Sequence, residues 1–136
     1  MGFALGHPDV INRLNRMTGP YDINSFAVAA AFAALQDQAY VDHYVAEVLK
    51  ARKWMQKQLI EAKVKHHIEA GNYFLLWPNH DVNITETFLR ERGVLIRNMA
   101  GKSLIEGSIR VSIGTPNQMK FFWEAYKIVE KLSASI

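Results

Sequence analysis

The first six positions, Met1-Gly2-Phe3-Ala4-Leu5-Gly6, form an apolar run that predicts a fully buried strand. His7-Pro8-Asp9 breaks it, and Val10 to Met17 then reads as a short helix with Val10, Ile11 and Leu14 on one side. Gly19-Pro20 stops that helix. Asn24-Ser25 supplies a cap for a second one through the alanine-rich stretch Phe26 to Leu35. Its faces are mostly small, which lets another backbone approach closely. Asp37 caps a long third helix whose apolar stripe is Tyr40, Val41, Tyr44, Val48, Met55 and Leu59.

Past Lys63 the period shortens. Val64 to Ile68 predicts a strand, and Asn72 to Trp77 a central one ended by Pro78. Asn83 followed by Glu86 is a capping-box pattern for a helix through Arg92, with Gly93 in the left-handed position after it. Val94 to Arg97 and Ser108 to Ile113 are two further strands. Thr115-Pro116-Asn117-Gln118 combines an N-cap, a first-turn proline and a capping box. The last helix is expected to turn Phe121, Phe122, Ala125, Ile128, Val129 and Leu132 inward. The fold class is therefore α+β, a small mixed sheet covered on one face by helices and preceded by a long helix.

Composition changes little of this. The 136 residues are 49% hydrophobic and 21% charged, ordinary for a globular chain with a core of its own. The absence of cysteine excludes disulfides, thiolate metal sites and a cysteine nucleophile. A net charge of +3 is spread over scattered lysines and arginines without a basic run, which argues against nucleic acid as a partner. The uncharged stretch Ile23 to Leu35 is too short for a membrane span, and no signal-peptide pattern opens the chain. Together these features predict a soluble, cytoplasmic protein with no membrane partner.

Candidate chemistry centres on Arg110. Strand alternation puts Ile109, Val111 and Ile113 on one face and Arg110 with Ser112 on the other. A guanidinium projecting from mid-sheet suits bidentate capture of carboxylate or phosphate, although an arginine on a solvated strand face has the same spacing. Arg97 ends the neighbouring strand. If the two strands pair, both arginines converge on one dianion beneath the loop Met99 to Gly107; if not, they are two surface arginines that never meet. Asn72 opens the central strand and is uninformative alone. His66 and His67 alternate faces, and His7, His43 and His80 lack partners at ligand spacing, so no metal site is expected. Phe121, Phe122 and Trp123 read as core and helix surface. No catalytic triad, phosphate-cradling glycine loop or paired carboxylates emerge.

The motifs as a set resemble a known family. Gly93 to Asn98, the short loop after it, and Gly107-Ser108-Ile109-Arg110-Val111-Ser112-Ile113-Gly114-Thr115-Pro116 are similar to the C-terminal signature of histidinol-phosphate aminotransferases, within the fold-type I enzymes that use pyridoxal phosphate. So are Pro20-Tyr21-Asp22-Ile23-Asn24-Ser25, Ala33-Ala34-Leu35-Gln36-Asp37 and Gly71-Asn72-Tyr73-Phe74-Leu75, and the similarity runs over essentially the whole chain. Threonine-phosphate decarboxylases and other amino-acid aminotransferases share much of it.

The resemblance implies a division at residue 36. Residues 1–36 would be a remnant of a large domain and the interdomain segment, and residues 37–136 the small C-terminal domain. In the family the opening apolar strand follows a segment Ser-Lys-x-x-Gly-Leu-x-Gly-x-Arg, whose lysine forms the Schiff base and whose arginine holds the cofactor phosphate. None of the nine lysines here stands in that context. The resemblance thus implies pyridoxal phosphate in a parent enzyme, none bound to this chain alone, and no catalytic residue within it. Arg110 matches the arginine that binds the substrate's anionic group, and Arg97 a second that helps hold phosphate. Tyr21 and Asn24 lie where the family approaches its active site or dimer partner, without a defined role. The implied activity is amino-group transfer between histidinol phosphate and 2-oxoglutarate in histidine biosynthesis, with this chain inactive by itself. Its implied partners are an anionic amino-acid-like substrate, the missing large domain and a second copy of itself. The alternative is a stand-alone binding or interaction module that reuses the domain. Met1 to Gly6 contains neither charge nor proline to blunt an open edge, which favours a truncated enzyme over such a module.

Overall fold

The computed structural model describes residues 2–19 and 23–132, with the side chain of Leu132 outside the description. Met1, Pro20, Tyr21 and Asp22 also lie outside the described residues. The chain forms two compact units, residues 1–42 and 43–136.

The first unit holds two helices and the start of a third. α1 spans Pro8–Asn15, with the His7 side chain accepting from the Asp9 amide as its cap. α2 spans Ser25–Gln36, and Asn24 Oδ1 accepts from the Ala27 amide at 2.8 Å, as its cap pattern predicts. No residue of either helix is buried. The expected opening strand is absent: residues 2–6 join no ladder, and Phe3 and Leu5 are 77% and 91% exposed. A fully buried strand needs pairing on both sides, and among the described residues this segment pairs with no strand.

α3 spans Gln38–Glu61 and crosses into the second unit, with Asp37 Oδ1 receiving the Tyr40 amide at its start. Its buried stripe is Val48, Ala51, Met55 and Leu59, while Tyr40, Val41 and Tyr44 stay exposed. The strands that follow are β1 (Lys65–Ile68) and β2 (Tyr73–Trp77), then β3 (Arg97–Asn98) and β4 (Ile109–Ser112). The sheet order is β1-β2-β4-β3, and all three pairings are antiparallel, so the sheet is not mixed. β2 and β3, joined through α4, run parallel to each other, and β4 lies between them antiparallel to both, so no two neighbours are parallel.

α4 (Val82–Glu91) and α5 (Pro116–Leu132) complete the unit. α4 is capped by Asp81, which accepts the amides of Asn83 and Ile84, so the helix begins earlier than an Asn83 cap would have it. Gly93 ends it at φ +76°. The α5 box forms as expected: Thr115 N donates to Gln118 Oε1 at 2.8 Å, and Gln118 N to Thr115 Oγ1 at 3.4 Å.

The core occupies one face of the sheet. Phe74, Leu76, Ile109 and Val111 pack there with the α3 stripe, Leu89 of α4, and Phe122, Tyr126 and Val129 of α5. Phe122 meets Phe74 edge-on and stacks on Tyr126, both at 5.9 Å between ring centroids. Phe121 and Ile128 point outward instead of inward, being 58% and 47% exposed. The phase of the helix commits the adjacent pair Phe122 and Trp123 to the interior, and a neighbour 100° round the axis from Phe122 then faces solvent.

Candidate functional site

Because alternate residues of a strand point to opposite faces, the apolar packing of Phe74, Leu76, Ile109 and Val111 sends Tyr73, Leu75, Trp77, Arg110 and Ser112 to the other face. The register shows that the two arginine strands pair. Arg97 on β3 lies directly opposite Arg110 on β4, so the two side chains share one face. Directly opposed residues sit about 4.5–5.5 Å apart at Cβ, and like charges there repel. Among the described residues no carboxylate pairs with either guanidinium. Arg110 lies over the Tyr73 ring, with the ring centroid 5.4 Å from its Cζ. Two guanidiniums carried on one sheet face, neither ion-paired among the described residues, offer planar donor sets of the kind that bind a dianion such as a phosphate monoester.

The surroundings are basic and aromatic. Leu75 separates Arg110 from His67 across the sheet, and Lys65 lies over Trp77 with Nζ 4.8 Å from the ring. The loop between the arginine strands is compact. Met99 N donates to Ser108 O, Gly101 N to Glu106 Oε1, and Trp77 Nε1 to Glu106 O at 2.9 Å. The loop is thus pinned to Trp77, at the far end of β2 from Tyr73. A surface cleft of about 570 Å³, lined in part by Leu95, Ser112, Gln118 and Phe121, borders this region without including either arginine.

The remaining sequence candidates fall elsewhere. Asn24 is engaged as the α2 cap, and Tyr21 lies outside the described residues. Asn72 contributes its carbonyl, which accepts from Ile113 N at 2.8 Å. No group of three or more histidine, aspartate or glutamate side chains is placed to hold a metal among the described residues. His66 Nδ1 is engaged with the Val64 carbonyl at 2.7 Å. Sequence reasoning missed Tyr73 and Asn98. Alternation along β2 was enough to put Tyr73 on the face away from Phe74, but its nearness to Arg110 depends on a strand pairing that periodicity does not encode.

With this geometry in hand, comparison with known proteins is decisive at the level of family. Residues 1–125 match the family model described as aminotransferase class I and II. The chain belongs to that family. It is 35% identical over 122 residues to histidinol-phosphate aminotransferase 1 of Pseudomonas fluorescens strain Pf0-1, covering 87% of this chain and 35% of that protein. The histidinol-phosphate aminotransferase of Clostridium acetobutylicum superposes with a TM-score of 0.79 at 22% identity, over 90% of this chain and 38% of that one. The Sinorhizobium meliloti histidinol-phosphate aminotransferase, solved in complex with pyridoxal-5'-phosphate, gives a TM-score of 0.72 at 20% identity, over 90% and 35%. This aminotransferase-family chain therefore spans little more than a third of the length of the relatives it matches. No helix among its described residues is long and apolar enough to cross a membrane.

Proposed function

We propose that the chain supplies the substrate-anion grip of a cytoplasmic, pyridoxal-phosphate-dependent aminotransferase of the histidinol-phosphate type. Arg110 and Arg97 hold the substrate phosphate, while the cofactor and its imine lysine belong to a large domain beyond these 136 residues. Residues 37–136 act as the small domain, and residues 1–36 dock on the large domain or on a second copy. The reaction served is amino-group transfer between histidinol phosphate and 2-oxoglutarate. The observation that carries the reading is the pair Arg97 and Arg110, opposed across the β3–β4 ladder with no carboxylate ion-paired to either among the described residues.

Two further features support it. An imine-forming lysine is activated by desolvation or by a neighbouring cation. Eight of the nine lysines here are exposed, and the ninth, Lys127, is paired with Glu124 at 2.8 Å. These lysines do not suit a covalently held cofactor. In the first unit, Phe3, Leu5, Phe26, Phe32 and Leu35 are more than half exposed, a surface that suits burial against protein.

The test is an NMR titration of the chain with histidinol phosphate, histidinol and inorganic phosphate. Phosphate-dependent binding is expected, and Arg110→Ala or Arg97→Ala should weaken it roughly tenfold or more, as loss of a charge-assisted contact does. Equal affinity for histidinol and its phosphate, or no effect of Arg110→Ala, overturns the reading. Incubation with pyridoxal phosphate, borohydride reduction and mass analysis should reveal no stoichiometric pyridoxyl-lysine at one site. Such an adduct together with turnover would place the imine lysine within this chain.

A further inference from the structure

β3 contains two residues, Arg97 and Asn98, and the ladder that sets Arg97 opposite Arg110 is correspondingly short. Two guanidiniums facing one another repel, so something besides two residues of pairing must hold that register when no anion is present. The side chain of Asn98 is placed to do so. It points to the face opposite Arg97, where Nδ2 donates to Asn83 Oδ1 on α4 at 2.9 Å and Oδ1 accepts from the Ala100 amide at 2.9 Å. One amide therefore ties β3 to a helix on one side and to the loop toward β4 on the other. Glu86, one turn along α4, stands within reach of the same amide. Its salt bridge to Arg90 and its hydrogen bond from Asn98 together hold its carboxyl below the usual range.

The geometry assigns Asn98 as a positioning residue for the phosphate grip, clamping β3 to α4 through Asn83 so that Arg97 stays beside Arg110. This inference rests on the reading of Arg97 and Arg110 as the anion-binding pair. The asparagine touches no substrate and acts through Arg97 alone. Its loss should therefore matter only while Arg97 is present, which separates positioning from general loss of stability.

The experiment is an NMR titration of the full chain with inorganic phosphate, in a double-mutant cycle. Asn98→Ala should weaken phosphate binding roughly three- to tenfold in the native background and leave it unchanged in the Arg97→Ala background. If Asn98→Ala fails to fold, Asn83→Ala removes the same hydrogen bond from the helix side and carries the same expectation. Asn83→Asp keeps an acceptor for Asn98 Nδ2 and should retain native affinity. The inference is overturned if Asn98→Ala and Asn83→Ala weaken binding by the same factor with and without Arg97. It is overturned equally if they leave affinity untouched while Arg97→Ala reduces it. Failure of the underlying reading looks different: Arg110→Ala and Arg97→Ala would both leave phosphate binding unaltered.

Discussion

One nitrogen of Arg52, Nη2, donates to two successive backbone carbonyls, Ala70 O at 2.8 Å and Gly71 O at 2.7 Å. That side chain fastens the turn between β1 and β2 to α3, two residues before Tyr73, whose ring lies beside Arg110. Charge-assisted hydrogen bonds contribute about 1.5–3 kcal/mol each, but the Nε of the same group is buried without a partner and offsets part of the gain. Arg52→Ala should therefore destabilise the chain by about 1–2 kcal/mol in urea unfolding at neutral pH. Arg52→Lys should recover part of that, since an ammonium can still donate to a carbonyl but sits on a shorter side chain than Nη2. An Arg52→Ala variant as stable as the native chain would show the turn to be held by the ladder alone.

Adjacent phenylalanines should behave oppositely. Phe122 is 2% exposed between Phe74 and Tyr126, so Phe122→Ala leaves a cavity in the core and should cost about 3–5 kcal/mol. Phe121 is 58% exposed, and Phe121→Ala should change stability by less than about 0.5 kcal/mol. Matched urea curves for the two variants check the helix phase directly. Similar losses for both would mean that Phe121 is covered in solution.

This pair also marks where the sequence stops being legible. Helix ends with local chemistry were readable: Asn24, Asp37, Gly93 and the Thr115–Gln118 box each act within three residues of their own position. Asp81 and Asn83 both offer a capping oxygen two residues apart, and the choice between them turns on which one the tertiary structure frees. Asn83 is taken by Asn98. The strand expected over Val94 to Arg97 shrinks to Arg97–Asn98, because ladder pairing depends on a partner strand eleven residues on. Arg110 was visible as a guanidinium on a strand, yet its placement opposite Arg97 is a property of register. The apolar start was read as a buried strand, and residues 2–6 are instead exposed and outside any ladder, because pairing depends on neighbours that a local pattern does not supply.

Gly93 tests the backbone side of the same argument. It adopts φ +76°, where an L-residue carries a strain that glycine lacks, and no heavy atom lies within 4 Å of the place a Cβ would take. Strain without a clash predicts that Gly93→Ala costs about 1–2 kcal/mol, and Gly93→Asn less, since asparagine tolerates the left-handed region. The order glycine, asparagine, alanine in thermal unfolding is the expected result. An alanine variant more stable than the asparagine one would mean that the backbone relaxes out of the left-handed region.

Tyr126 sets the alkaline limit. Its ring is 1% exposed between Phe122 and Trp123, and its hydroxyl is buried beside the Glu130 carboxylate, which also accepts from Asn79, without a well-aligned partner. Burial first, and then the Glu130 carboxylate, through hydrogen bonding to the hydroxyl and then through its charge, push its ionisation far above the ordinary tyrosine value near 10. The unfolded chain releases that proton at the ordinary value and the folded chain holds it. The folded state thus binds more protons above pH 10, and stability falls as pH rises through that range. Tyr126→Phe removes the titrating group while keeping the ring, so it should flatten the decline above about pH 10. At pH 7 the same variant should lie within about 1 kcal/mol of the native chain, because the hydroxyl it deletes gains little from any hydrogen bond. Urea midpoints at pH 7, 9 and 11 for both proteins decide the matter. A parallel alkaline decline in the two would locate the titration in another group. A large loss at neutral pH would mean that the hydroxyl is bonded after all.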